Sequence, residues 1–191
     1  MNEPLPDGGS IRKLWISETD AYRDHLLRLD HDSRHRRFSG AVSDDFIARH
    51  AATANDAGVV VHGFFVDGTL RGASELRRIG SVFARKAEAA FSVEQPWQSQ
   101  GVGTVLLERT LLSARNRGIN ALHMYCLVDN RRMQQLARKF AADLTFDFGS
   151  VVGEVDAAHS TPLSLMREAL ADADGVANAI LDVHSRLLRP A

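Results

Sequence analysis

Two glycines, Gly101 and Gly103, mark the place where a glycine-rich loop opens into a helix. The loop begins at Gln98, and apolar side chains follow at helical spacing as far as Arg115. A strand over 87–93 is predicted in front of the loop. The first turn of a helix leaves backbone N–H groups unpaired and carries partial positive charge, and glycine lets an anion come close. The segment therefore predicts a phosphate-binding loop.

The spacing of the loop distinguishes several kinds of phosphate site. A dinucleotide-binding loop requires a third glycine where Leu106 stands and an acidic residue about 20 residues further on, for which Asp129 is a loose candidate. A P-loop requires Gly-Lys-Ser/Thr, which the chain lacks. The hexapeptide QSQGVG fits the pattern Q/R-x-x-G-x-G/A and resembles the diphosphate loop of the GNAT superfamily of acyl-CoA N-acyltransferases. An ordinary tight turn is the alternative interpretation.

The resemblance implies acetyl-CoA as the acyl donor and an amine as the acceptor. It implies that the pantetheine arm lies between the strand before the loop and the strand after its helix, paired with the backbone of Phe91 and Val93. The amide of Val93 or Glu94 is then the candidate donor to the thioester oxygen. Asn130 and Met133 are implied as further donor-binding residues, although Asn130 is equally consistent with a plain helix N-cap. The loop residues implied to hold the diphosphate are Gln98, Ser99, Gln100, Gly101, Val102, Gly103 and Thr104.

Acyl transfer to an amine requires a base, because a protonated amine with a pKa near ~10.4 has no lone pair. Glu88 and Glu94 share the strand before the loop. Glu94 lies next to the diphosphate loop, where its charge would oppose binding, whereas Glu88 is set back. The run Ala87 to Ala90 also resembles the Ala-Glu-x-Ala strand of the Pat-like protein-lysine acetyltransferases. We therefore predict Glu88 as the general base, against the alternative of a surface strand carboxylate.

The chain departs from the superfamily at one catalytic position. Many of these enzymes have a tyrosine seven residues after the asparagine, to protonate the leaving thiolate, and here that residue is Ala137. The Pat-like subgroup also lacks this tyrosine. Tyr125 is a fallback acid, but Tyr125, His123 and Cys126 are expected to be packing residues of an apolar strand.

The order of predicted elements is β, α, α, β, β, β, α, β, α, β. It begins with a strand over 11–16 and a helix from a capping box at Ser17 to about Asp30. A helix over 44–57, capped by Ser43 with Phe46 and Ile47 inward, comes next. The later elements are a hairpin over 59–66 and 69–76 with an Asp-Gly turn, strands over 87–93 and 121–128, a helix capped by Asn130, and a final strand or hairpin arm over 144–155.

This order predicts an α/β (α+β) fold with a single GNAT domain. Its mixed central sheet is expected to splay between the fourth and fifth strands, with helices on its faces. We predict a flexible lead-in over 1–10, the domain over 11–156 and a helical extension over 157–191.

Two segments have no assigned role in the domain. The basic segment from His31 to Ser39 is predicted to be a solvated loop, with the substrate entrance or the cofactor phosphates as the alternative. The extension carries two apolar stripes, one from Leu163 to Leu170 and one from Val176 to Leu187, separated by a predicted helix end at Gly175. The stripes are expected to dock on the domain, and a homodimer contact is the alternative.

Composition limits the class of protein. The 191 residues suffice for one domain, and a net charge of −1 gives no general attraction to nucleic acid or to acidic membranes. No signal peptide or membrane span is recognisable, and the single cysteine excludes an intrachain disulfide, so a cytoplasmic location is expected. No metal site is expected. A non-catalytic acyl-CoA-binding module and a nucleotide-binding oxidoreductase are the competing functions.

Overall fold

A seven-stranded mixed sheet runs through the structure, a computed structural model that describes residues 5–6, 8–81, 83–140, 142–147, 149–156 and 159–187. The strand order is β1-β2-β3-β4-β5-β7-β6. The strands are β1 (Gly9–Lys13), β2 (Val59–Val66), β3 (Thr69–Arg78), β4 (Lys86–Val93), β5 (Ala121–Leu127), β6 (Asp143–Asp147) and β7 (Ser150–Asp156). The helices are α1 (Thr19–Arg28), α2 (His31–Phe38), α3 (Asp44–Ala52), α4 (Val102–Asn116), α5 (Arg131–Lys139) and α6 (Pro162–Leu187).

The sheet opens between its fourth and fifth strands, as predicted. All neighbouring strands pair antiparallel except β4 and β5, which are parallel. Their pairing covers only three residue pairs, from Lys86 opposite Ala121 to Glu88 opposite His123. Beyond Glu88 the two strands diverge. The final element is a full hairpin, and β7 rather than β6 lies beside β5.

Helices cover the two faces of the sheet and build separate cores. On one face, α1 and α3 bury Tyr22, Leu26 and Ile47 against β2 and β3. On the other face, α4 and α5 close over Leu122 and Met124 of β5. Among the described residues, no helix combines the length and the apolarity needed to cross a bilayer.

The hairpin and the strand before the loop were predicted well, because their signals are local. Asp67 and Gly68 both have positive φ, 46° and 60°, as a tight turn between twisted strands requires. The first strand was placed too late. It spans Gly9–Lys13, so Trp15 lies outside it, while residues 1–4 and 7 of the predicted lead-in lie outside the described residues.

The capping box at Ser17 was wrong. A 3-10 turn, Ile16–Glu18, precedes α1, and the Glu18 carboxylate accepts a hydrogen bond from the Trp15 amide at 2.8 Å. In α3 the Ser43 cap is present, but the helix ends at Ala52 and a 3-10 turn follows it. Ile47 is buried, whereas Phe46 remains 42% exposed.

The basic segment is a helix rather than a loop. Asp30 caps α2 by accepting a hydrogen bond from the Ser33 amide at 2.9 Å, and Ser39 ends the helix in the left-handed region. Charged and polar residues outnumber apolar ones in this segment, so the helical periodicity of hydrophobic residues was absent from the sequence.

Gly175 does not end a helix, and α6 runs through it. A Cβ at Gly175 would lie 2.5 Å from the Cβ of Arg12, so glycine is what allows α6 to contact β1. The helix docks through small and polar residues, including the buried Ser164 and Ala179. The described part of the apolar stripes points away from the domain, so their expected docking on it was wrong there. The side chains of Val183 and Leu187, which complete the second stripe, lie outside the described part of the chain. The described members of the stripes, all exposed, are Leu163, Met166, Leu170, Val176 and Ile180.

Glu168 fastens α6 to the domain. Its carboxylate accepts hydrogen bonds from Lys13 at 2.7 Å, Ser113 at 2.7 Å and Asn116 at 2.7 Å. Since the Ser113 hydroxyl donates to Glu168, it must accept from Nε2 of the buried His62, 3.2 Å away. The other ring nitrogen of His62, Nδ1, has no partner within the described part of the chain.

This arrangement predicts a pH-dependent stability. Burial, together with the charge of Lys13, lowers the pKa of His62 to about 3. The contribution of neutral His62 to the free energy of unfolding is complete above the unfolded-state pKa of about 6.5. It is lost as the pH falls below that value, because only the unfolded chain then binds a proton at this histidine. We expect His62→Leu to reduce the slope of the unfolding free energy between pH 6 and 4 by up to about 1.4 kcal/mol per pH unit, measured by urea unfolding. An unchanged slope would contradict this prediction.

Candidate active site

The gap between β4 and β5 exposes backbone groups of alternate residues. The Glu94 amide donates to the Arg71 carbonyl of β3 at 2.9 Å, which sets the alternation along the antiparallel pair. The even-numbered residues of β4 therefore bond to β3, and the Ala89 carbonyl and the N–H and C=O groups of Phe91 and Val93 face the gap. Phe91 and Val93 thus lie where a pantetheine arm could pair with them. The Glu94 amide is already bonded, so it is not available as the predicted oxyanion donor.

The closed end of the gap lies beside Glu88. Pairing with β5 stops at Glu88 opposite His123, and in a parallel ladder this pair is closed by the Ala89 amide, which donates to the His123 carbonyl. Phe91 is therefore the first residue of β4 whose amide is free on that side. Two strand steps, about 7 Å, separate Phe91 from Val93, which lies at the mouth of the gap next to the glycine loop. A thioester placed at the closed end would have the Phe91 amide as its nearest backbone donor, whereas sequence reasoning had implied Phe91 only for pairing with the pantetheine arm.

The glycine loop presents unpaired amides at the mouth of the gap. Gly101 has φ 82° and is the N-cap of α4. Two of the implied amides are engaged internally: Thr104 donates to the Gly101 carbonyl at 2.9 Å, and Gln98 donates to the Gln95 carbonyl at 3.2 Å. Within the described part of the chain, the five amides between them, Ser99, Gln100, Gly101, Val102 and Gly103, have no acceptor. They form a cradle for an anion at a helix N-terminus.

Glycine at position 103 is not required by the fold. A Cβ there would meet only Cδ2 of Leu136 at 3.6 Å, an ordinary contact. Within a helix, glycine is about 0.5–1 kcal/mol less favourable than alanine. The residue therefore fits a site where a ligand comes close to the backbone.

A cleft of about 470 Å³ joins the loop to the gap. Among its lining residues are Phe91, Val93, Gln98, Ser99, Gly101, Gly103, Thr104, Asn130 and Met133. Four cations also line it: Arg36 and Arg37 from α2, and Arg132 and Lys139 from α5. From the sequence, few basic residues were expected near the loop, and the basic segment was only an alternative contact for the cofactor phosphates. The folding of that segment into α2 is what brings Arg36 to the cleft.

Gln98 bridges the mouth of the cleft through its side chain. Its amide nitrogen donates to the Val93 carbonyl at 2.8 Å and to the Ser33 hydroxyl at 3.1 Å, and its oxygen accepts from Arg132. Gln100 is turned outward and donates to the Pro96 carbonyl at 2.6 Å. The Gln98 side chain therefore occupies the carbonyl with which a pantetheine arm would pair.

Asn130 acts as the N-cap of α5, because its side-chain oxygen accepts from the Met133 amide at 3.2 Å. Ala137 is buried in the core with Met124 and Leu144. Tyr125 was expected to pack in the core, but it is 47% exposed and stacks on His123. Cys126 is buried, as expected.

Glu88 lies half-buried in a row of polar residues. Its cross-strand neighbours are Arg77 on β3 and His123 on β5, so all three side chains share the face covered in part by α2. Arg37 on α2 lies close enough to feel the charge of Glu88. Burial alone would lower the pKa of Arg37, but the nearby Tyr22, Glu75 and Glu88 raise it above its usual value. A carboxylate beside the closed end of the gap is placed to accept a proton from an attacking amine.

A second carboxylate, Glu75, is the centre of a buried network under the same face. It accepts hydrogen bonds from the hydroxyl of Tyr22 at 2.7 Å and from Arg37 and His50 at 2.8 Å each. Arg77 bonds to its other oxygen at 2.8 Å. Burial works against its charge, but the His50 hydrogen bond and the charge of Arg37 hold the pKa of Glu75 well below its usual value.

Glu94 is similarly engaged away from the cleft. It bonds to Arg28 at 2.9 Å and Arg71 at 2.9 Å, and to His25, which also contacts the Ser92 hydroxyl at 2.9 Å. Burial alone would raise the pKa of Glu94, but the hydrogen bonds from His25 and Arg71 outweigh this effect and hold the pKa below its usual value. Its charge is therefore neutralised locally and does not oppose an anion at the loop.

Most of the chain matches one known family of acyltransferases. Residues 14–142 match the family described as "Acetyltransferase (GNAT) family". Because the match spans more than half of the chain, the protein belongs to that family.

Several solved structures share the fold. The GNAT domain of S. lividans PAT has 23% sequence identity and a TM-score of 0.68, covering 76% of this chain and 89% of that one. A cAMP-binding acyltransferase from Mycobacterium smegmatis has 19% identity and a TM-score of 0.57. The match covers 88% of this chain but only 51% of the Mycobacterium smegmatis chain. A putative acetyltransferase from Salmonella typhimurium, solved with its cofactor acetyl-CoA, has 18% identity and a TM-score of 0.60, with coverages of 82% and 98%. No curated protein matches the sequence.

Proposed function

We propose that the protein transfers an acetyl group from acetyl-CoA to a primary amine, with Glu88 as general base. The observation that carries this proposal is the continuous path from the free amides at the N-terminus of α4, along the open edge of β4, to Glu88. The acetyl-CoA bound by the structural neighbour from Salmonella typhimurium supports the choice of donor. The amine is either a protein lysine, as the Pat-like resemblance suggests, or a small molecule.

In the proposed reaction, the diphosphate rests on the amides of Ser99 to Gly103, with Arg36 and Arg132 close by. The pantetheine arm displaces the Gln98 side chain from the Val93 carbonyl and pairs with Val93 and with the Phe91 carbonyl. Glu88 takes a proton from the amine, directly or through water, and the amine nitrogen attacks the thioester carbonyl. The Phe91 amide donates to the oxygen as charge develops, and the thiolate leaves. With Ala137 in the core, a thiolate with a pKa near ~8.5 leaves without a tyrosine acid.

Release of free thiol from acetyl-CoA tests the reaction, using a panel of small amines and of lysine-containing proteins. Amine-dependent release is expected. Binding of acetyl-CoA in calorimetry without transfer to any acceptor would instead support the non-catalytic acyl-CoA-binding module. Absence of acetyl-CoA binding would exclude both.

Gly103→Asp provides a test of the donor site alone, because the loop pattern accepts alanine as well as glycine at this position. The added carboxylate lies in the first turn of α4, where it would repel the diphosphate, so we expect acetyl-CoA to bind about 10- to 100-fold more weakly. The free energy of unfolding should stay the same or rise by up to about 1 kcal/mol, since a negative charge is favourable at a helix N-terminus. Gly40→Asp is the matched control, because a Cβ at Gly40 meets nothing within 4 Å and its φ is not positive. Unchanged acetyl-CoA affinity in Gly103→Asp would place the diphosphate elsewhere.

A further inference from the structure

The outward face of α6 carries an apolar seam that the domain leaves uncovered. Exposed residues follow at alternating intervals of three and four, the spacing of two facing positions in a heptad. They are Leu163, Met166, Leu170, Ala173, Ala177 and Ile180. A helix turns about 100° per residue, which places this seam opposite Glu168 and Gly175, the residues that face the domain. All six seam residues are exposed, so none of the described residues of the domain covers the seam.

We propose that α6 pairs with α6 of a second copy of this chain, antiparallel, through this seam. A two-fold axis across the middle of the seam would place Leu163 opposite Ile180 of the second copy, Met166 opposite Ala177, and Leu170 opposite Ala173. Each inner layer then combines a large side chain with a small one, which fills space evenly. A parallel pair would instead stack alanine on alanine at two layers and leave voids there.

Charge favours the same orientation. Arg167 and Asp174 flank the seam on one side, both exposed, and neither has an ion-pair partner within the described part of the chain. They are one heptad apart, about 10.5 Å along the axis, which is too far for them to pair with each other. In the antiparallel arrangement, Arg167 of each copy lies beside Asp174 of the other, giving two symmetric ion pairs. In a parallel pair these charges would face Pro162 and Ala169.

Sedimentation velocity of the full chain over a range of concentrations tests the proposal. The wild type is expected to dimerise reversibly. Leu170→Asp places a charge in the seam and should raise the dimer dissociation constant by at least about tenfold. Leu165→Asp is the matched control, because Leu165 is also exposed, at 52% against 58%, but lies off the seam. It should change the dissociation constant by less than about twofold.

A charge exchange tests the orientation. At low salt, Arg167→Asp and Asp174→Arg should each weaken self-association by about three- to tenfold, since both make two like-charge contacts per dimer. Mixing the two variants should restore a heterodimer, because every flanking pair is then of opposite sign. An unchanged melting temperature shows that each variant is folded. A monomeric wild type, equal effects of Leu165→Asp and Leu170→Asp, or no recovery on mixing would each overturn the proposal.

Discussion

Replacement of Glu88 by glutamine is expected to lower kcat/KM for acetyl transfer by about 10²- to 10⁴-fold, with little change in the affinity for acetyl-CoA. The amide keeps the size of the side chain but cannot accept the proton of the amine. Glu88 lies at the closed end of the gap, away from the loop amides, so donor binding should not depend on its charge. Steady-state kinetics and calorimetry measure the two effects separately.

The pH dependence of the Glu88→Gln defect tests the role further. As the pH rises toward the pKa of the free amine, near ~10.4 for a lysine side chain, more of the acceptor is already deprotonated and less depends on a base. The defect should therefore shrink with rising pH. Glu154→Gln is a matched control, since Glu154 is a carboxylate on β7, opposite His123, on the same face but further from the gap. Near-wild-type turnover in Glu88→Gln would remove Glu88 from the role of base.

The second large effect is expected on stability. Glu75→Gln should lower the free energy of unfolding by about 3–5 kcal/mol, because it leaves the buried Arg37 without its counter-charge. The new amide group would also direct N–H donors at Tyr22, His50 or Arg77, which are themselves donors to Glu75. Urea unfolding at neutral pH measures the loss.

Two comparisons separate the burial of this pair from charge alone. Asp24→Asn breaks an exposed ion pair with Arg23 and should change the free energy of unfolding little, because water screens the two charges. Joint replacement of Glu75 by leucine and Arg37 by methionine should recover part of the stability lost in Glu75→Gln, because neither buried charge remains. Because the pKa of Glu75 is depressed in the folded state, its contribution is present above about pH 4.5 and is lost as the pH falls. A loss in Glu75→Gln no larger than in Asp24→Asn would show that the network adds little.

The sequence by itself determined the local elements and much of their order. The Asp-Gly turn, the Ser43 cap and the loop before α4 depend on φ, ψ and hydrogen bonds within a few residues, so they can be predicted from residue types. The family resemblance added the opening between the fourth and fifth strands, and the pairing confirms it. The helix over the basic segment was missed because only one of its eight residues, Phe38, is apolar, so it has no hydrophobic period.

Only the tertiary structure decided which distant residues meet. Strand register made Phe91 the first free amide beyond Glu88, helix packing brought Arg36 to the cleft, and the approach of α6 to Arg12 explains Gly175. The apolar residues of α6 were expected to dock on the domain, but the packing buries the opposite face of the helix. Local patterns constrain each element, but register and packing depend on contacts between residues far apart in the chain, and these are determined only when the whole core assembles.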